Sequence, residues 1–147
     1  MKNRTSLVIL AVLLVIAGFV FRFTDWFSPR QIQISYRIIP GRGKPGSVEP
    51  VVFLLNQESK VTSIRVYSLD EEKTNAHPHD LWHLVAITNA VPVTDFPYGG
   101  PLPGLRPFYT NSIPEALATN GNYRIVVQAG KIKGQRDFTA RATVGTP

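Results

Sequence analysis

The chain has 147 residues, 44% hydrophobic and 18% charged, with a formal charge of +6 and no cysteine. The missing thiols exclude a disulfide-stapled miniprotein, a zinc ribbon, a thiol enzyme and an anchor through a lipidated cysteine. An aromatic content of 10% argues against a disordered tail, so one modest folded domain is expected.

From the N-terminus, a short basic tail (residues 1–4, with Lys2 and Arg4) precedes an uncharged run, Thr5 to Phe21, closed by Arg22. At 1.5 Å per residue this run reaches roughly 25 Å, the short end of what crosses a ~30 Å hydrocarbon core. Arg22 can snorkel and let Phe23 extend the span. Trp26 and Phe27 then fall at headgroup level, and Ser28-Pro29 ends the helix. A single transmembrane helix over 5–23 is therefore expected, with an interfacial linker over 24–30. Its membrane-interface residues would be Arg22, Phe23, Trp26 and Phe27. The alternative is a signal peptide cleaved after Ala17, which would leave the apolar Gly18 to Phe23 as a new terminus. For an anchor, a cytoplasmic N-terminus and a periplasmic or extracellular domain is the usual orientation.

Beyond residue 28 the composition changes: all twelve prolines and every glycine but Gly18 lie there. Residues 31–147 are one domain's length. Their apolar positions alternate, as in Gln31 to Ile39, where Ile32, Ile34, Tyr36 and Ile38 share one face. Further strands are expected over 50–56, 61–69, 81–87, 123–129 and 138–144, with Pro-, Gly-, Asn- and Asp-rich turns between. A helical turn is expected only at 113–118, capped by Ser112 with Pro114 at its first position. Many short strands without intervening helices predict an all-β antiparallel sandwich.

Leu117-Ala118-Thr119-Asn120-Gly121-Asn122-Tyr123-Arg124-Ile125-Val126-Val127 resembles the approach to strand F in fibronectin type III and related immunoglobulin-like domains. There a leucine stands six residues before the tyrosine of the tyrosine corner, as Leu117 does before Tyr123. The resemblance implies strand F at 123–129, an F–G loop at 130–134, strand G at 138–144 and strand C at 61–69. Three departures stand against it. There is no disulfide pair, Trp82 follows strand C instead of preceding it, and 91–112 is long for a simple connection.

Of the chemical clusters, His77-Pro78-His79-Asp80-Leu81-Trp82-His83 holds every histidine of the chain. Imidazole and carboxylate suit zinc or copper, so His77, His79, Asp80 and His83 form a candidate metal set. The competing interpretation is a polar loop capped by Trp82. Catalysis has weaker grounds: no G-x-S-x-G elbow presents a serine, and Gly41 to Ser47 lacks phosphate-loop spacing. Asp70-Glu71-Glu72 reads as a solvated turn rather than a calcium loop. No enzyme activity and no cofactor are expected.

Two stretches could meet a partner. Phe96, Tyr98, Leu102, Leu105, Arg106, Phe108 and Tyr109 lie in a Pro- and Gly-rich stretch where restricted chain entropy favours binding; it is equally a rigid crossover lying over the sandwich edge. Lys131, Lys133 and Arg136, with Arg124 and Arg141, gather the domain's mild positive excess and could face lipid headgroups or an acidic partner surface. Nucleic acid would require a denser basic stripe with interleaved aromatics. The expectation is therefore a non-catalytic, membrane-anchored accessory or assembly subunit that contacts the lipid bilayer and docks a protein partner in a larger membrane or envelope complex. The alternative is a metal- or small-ligand-binding sensor built on the histidine loop.

Overall fold

A computed structural model describes residues 2–23, 31–42, 46–87 and 91–143, and the chain divides into two units, Met1–Arg30 and Gln31–Pro147. In the first, α1 (Lys2–Phe23) is a single helix. Apolar side chains stand exposed around it, from Val12 at 52% to Val15 at 71%. An all-round apolar helix of this kind has no polar face to turn to water. Side chains are described only at residues 6–20 and 22, and the apolar part of these covers about 22 Å. Among the described residues no helix is long and apolar enough to cross a membrane. The expected interface residues Trp26 and Phe27, and the side chain of Phe23, lie outside the described part; Arg22 is exposed.

Among its described residues the second unit is all-β apart from one helical turn. Its elements are β1 (Ile34–Ile38), β2 (Val51–Lys60), β3 (Ser63–Ser68), α2 (Leu69–Glu72), β4 (Asp80–Ala86), β5 (Pro92–Pro97), β6 (Leu105–Pro107), β7 (Asn122–Ala129) and β8 (Ile132–Thr139). Two antiparallel sheets result, one of order β1-β2-β5 and one of order β6-β4-β3-β7-β8. Period-two alternation explains why they face each other: Val51, Phe53 and Leu55 of β2 and Tyr123, Ile125 and Val127 of β7 are buried, with less buried residues between. Both sheets share one core, to which each fully buried large side chain contributes about 1.5–3 kcal/mol. Aromatic rings bridge it. Phe53 meets Phe138 edge-on at 5.1 Å, and Phe96 lies 5.7 Å from Phe53 and 6.2 Å from Trp82.

At the entrance to β7, the Tyr123 hydroxyl accepts a hydrogen bond from Ala118 N–H at 2.7 Å, and Leu117 is buried. Gly121 lies beneath the Tyr123 ring, where a Cβ would come within 2.7 Å of Cζ.

Several expected elements are placed differently. The last strand begins at Ile132 rather than Phe138, because Gly130, at φ +61°, and Lys131 close a two-residue hairpin that pairs Ala129 with Ile132. Residues 91–112 are no plain crossover but contain β5 and β6. Proline hides β5 from periodicity, yet Pro92 and Pro97 are tolerated because β5 is an edge strand. The expected helical turn at 113–118 is irregular: Glu115 N–H donates to the Leu81 carbonyl at 2.9 Å and the Tyr98 hydroxyl to the Glu115 carbonyl at 2.8 Å. Neighbouring strands take the backbone groups a helix would pair internally. The only helical turn of this unit among the described residues is α2, at the acidic run read as a turn. Finally, β2 runs past Asn56 to Lys60, with a pairing irregularity between Leu54 and Ser59.

Candidate functional site

The outer face of the five-stranded sheet gathers most of the domain's paired polar side chains. Its geometry begins with a bulge in β4: Val66 pairs with Trp82, but the next residue, Tyr67, pairs with Asp80, so Leu81 is an extra residue. Regular alternation would put Asp80 and His83 on opposite faces. The bulge brings both outward, while Trp82 and Leu84 enter the core. Arg65, opposite His83 on β3, then reaches Asp80: Nε lies 3.0 and 3.1 Å from the two carboxylate oxygens and Nη2 lies 2.8 Å from Oδ1.

Asp80's side chain is only 7% exposed, and that of His83 only 11%. His83 Nδ1 is 2.9 Å from Asp80 Oδ2, near enough for the carboxylate to act on the imidazole, although the pair makes no well-aligned hydrogen bond. Burial pushes the His83 imidazole below its ordinary value, outweighing the opposite pull of Asp80, and Arg65 pushes the same way as burial. The ring stacks on Phe108 at 4.4 Å and 12°, with Tyr109 edge-on at 6.4 Å. Phe108 is 53% exposed and Tyr109 56%.

A second cluster lies on the same face. Arg124 is held by Asp137 at 2.6 and 3.0 Å and by Glu72 at 2.9 and 3.1 Å, and the Tyr67 hydroxyl donates to Glu72 at 3.1 Å. Its hydrogen bonds to Asp137 raise the Arg124 value and hold the Asp137 carboxyl below the ordinary carboxylate range. Burial, first of all, raises Tyr67. The turn of α2 carries Glu72 into this cluster.

The four candidate metal ligands do not converge. His79 Nε2 contacts Glu115 Oε1 at 2.6 Å, which raises its pKa, and its backbone N–H donates to Glu71. His77 is exposed, with its N–H on Asn75 Oδ1, and His83 and Asp80 are engaged as described. Among the described residues no group of three or more His, Cys, Asp or Glu side chains is disposed to hold a metal. The bulge and the separate carboxylate partners pull the set apart.

The candidate contact residues separate as well. Phe96 and Leu102 are core, and Tyr98 packs on Trp82 at 5.3 Å with its hydroxyl value raised by burial. Leu105 is half-buried in β6, whereas Arg106, Phe108 and Tyr109 are exposed. Lys131 is exposed in the β7–β8 turn, Lys133 on β8 opposite Gln128, and Arg136 on β8 opposite Ile125. Arg65, Tyr67, Glu72, Glu115 and Asp137 were not anticipated as partners of Asp80, Arg124 and His79. The signal available for them was the polar phase of β3, β7 and β8, which names residues on a face but not which strands are neighbours. Compared with known protein families, curated proteins and solved structures, the chain has no match.

Proposed function

We propose that this protein is a non-catalytic docking module: an immunoglobulin- or fibronectin III-like sandwich held at a membrane by one N-terminal helix, serving as an accessory or assembly subunit of a larger membrane or envelope complex. In this reading the N-terminus is cytoplasmic and the β-domain periplasmic or extracellular. Support for the sandwich type comes from the strand order, with β1-β2-β5 in one sheet and β4-β3-β7-β8 in the other. It comes equally from the Tyr123 hydroxyl bonded five residues upstream beside Leu117. The membrane reading is supported by the apolar side chains exposed around α1 and the basic residues at its ends.

The observation that carries docking is the half-exposed pair Phe108 and Tyr109, the first stacked on the nearly buried His83 and the second edge-on to it. Rigid aromatics with an adjacent arginine, here Arg106, are the composition of interface anchors. Catalysis has less to work with, because Asp80, Glu72 and Asp137 are each engaged by an arginine.

The test is crosslinking of the full chain in native membranes, with alkaline carbonate washing of the same membranes. The expected outcome is retention of wild type, release of a Leu10→Arg/Leu13→Arg variant, and crosslinks to a defined neighbour that F108A/Y109A diminishes. Carbonate release of wild type would defeat the anchor. Crosslinks unchanged by F108A/Y109A would defeat the aromatic face as the docking surface.

A further inference from the structure

Beside the aromatic face lies a cavity of about 280 Å³, where β4 meets residues 99–107 and 112–114. Trp82 and Leu102, both buried, line it together with three prolines: Pro101 and Pro107, which are exposed, and the half-buried Pro114. Local turns hold this proline-rich wall in place. Gly100 N–H donates to the Pro97 carbonyl, Leu105 N–H to the Leu102 carbonyl and Ser112 N–H to the Tyr109 carbonyl. Because proline has few conformations to lose, such a wall is stiff before anything binds.

His83 joins the cavity to the aromatic face, since it lines the one and its ring stacks on Phe108 of the other at 4.4 Å. Ile113, 82% exposed, lies between the lining residues Ser112 and Pro114, and Phe108 directly follows the lining Pro107. Large exposed apolar side chains are thus attached to the wall of an apolar cavity, the setting in which a partner's side chain is buried within a rim that excludes water. None of the described lining residues is an aspartate, glutamate, lysine or arginine, and burial keeps His83 neutral at pH 7. A charged side chain entering here would lose its hydration with no counter-ion in return. Size narrows the choice among uncharged ones. A dry cavity of about 150 Å³ takes one benzene. A leucine side chain, smaller than benzene, would leave roughly half of this cavity empty, a loss that grows with the void. An indole comes closer to filling it, and the rings of Trp82 and His83 offer the offset and edge contacts that aromatic groups favour.

We infer that, given the docking function proposed above, this cavity receives one large aromatic side chain of the protein partner, with tryptophan the best fit. Phe108, Tyr109 and Ile113 then supply the apolar rim around the inserted ring.

The test uses the full chain in lipid nanodiscs, with W26F leaving Trp82 as the single tryptophan, labelled as fluorotryptophan and followed by fluorine NMR. N-acetyl-tryptophanamide is expected to shift the Trp82 signal saturably, with a dissociation constant on the order of millimolar for a single side chain. N-acetyl-leucinamide should bind at least about fivefold more weakly, and N-acetyl-lysinamide should leave the signal unchanged. S112F, which adds a ring to the wall, and L105A, which opens it, should each weaken tryptophanamide binding by about tenfold or more, while K133Q leaves it within about twofold. Absence of a saturable shift without these substitutions overturns the proposal. So does equal binding of the leucinamide, or unchanged binding by both S112F and L105A with unchanged melting curves. Crosslinking in native membranes separates the cavity from docking itself: S112F is expected to diminish the crosslinks to the neighbour, as F108A/Y109A does. Crosslinks lost in F108A/Y109A but kept in S112F would leave the docking face standing and remove the cavity from it. Crosslinks unchanged in both would defeat the face, and with it the assignment of the cavity to a partner.

Discussion

The outer face of the five-stranded sheet carries two arginine-centred clusters that differ in what surrounds the charge. At Asp80 one carboxylate, 7% exposed, sits between the Arg65 guanidinium and an almost buried imidazole. At Arg124 the cation takes two carboxylates, Glu72 and Asp137, which are 37% and 50% exposed. Water meets the first pair at Arg65, 42% exposed, but not at its carboxylate, whereas in the second it meets both carboxylates around an Arg124 that is 22% exposed, so similar bond lengths carry different free energies. Bond distances alone would have ranked the Arg124 cluster first.

The contrast is broken most strongly at Asp80. Replacing it by alanine leaves Arg65 and His83 facing each other without the intervening charge, and a loss of about 1–3 kcal/mol is expected from urea denaturation. D80N keeps the volume and should lose less. It should also move the His83 titration, followed by NMR, further downward, because Asp80 is the group that raises it. An unchanged His83 titration in D80N would mean that the 2.9 Å approach has no electrostatic content.

Next in size is Arg124→Leu, which should cost below about 1 kcal/mol and, unlike D80A, lose most of its effect in 1 M salt. Equal salt sensitivity of the two variants would erase the distinction.

Acid titration separates the clusters further. His83 has a depressed value in the folded state, so its contribution is complete above the ordinary 6.5 and is lost as pH falls through the lowered value. Asp137 is also depressed, from an ordinary 3.8, and its smaller contribution disappears only in stronger acid. H83F should therefore flatten the stability profile on the acid side of 6.5, while D137N flattens it below about 4.

The smallest effect is expected at His79, more than half exposed on Glu115 and raised by it. Its contribution is full below 6.5 and fades as pH rises through the raised value, opposite in sign to His83. H79A should steepen the loss on acidification slightly, as read from melting temperatures across the pH series.

Strand existence was legible in the sequence: the strands expected over 50–56, 61–69 and 123–129 overlap β2, β3 and β7, and Ile32, Ile34, Tyr36 and Ile38 keep their expected common face, with Gln33, Ser35 and Arg37 exposed between them. β5 was not, because Pro92 and Pro97 read as loop residues and only an edge position reconciles them with a strand. The start of β8 was misjudged because Gly130 to Gly134 looks like a flexible loop. Gly134 in fact lies within the strand, its missing Cβ making room for the Ile32 carbonyl. The clusters were hidden for a different reason. Arg65 and Asp80, or Glu72 and Arg124, are brought together by strand neighbours and by one bulge, and neither is encoded in local periodicity.

The Leu81 bulge also makes the length of one strand part of the chemistry of its surface. Deleting Leu81 would restore regular pairing with β3 and leave Asp80 opposite Tyr67 on the outer face. It would also remove the carbonyl that holds Glu115. Insertions and deletions of one residue in the loops on either side leave that carbonyl in place. Natural variation in length is thus expected to collect in the segments flanking β4, leaving the strand itself at a constant count even where its side chains change.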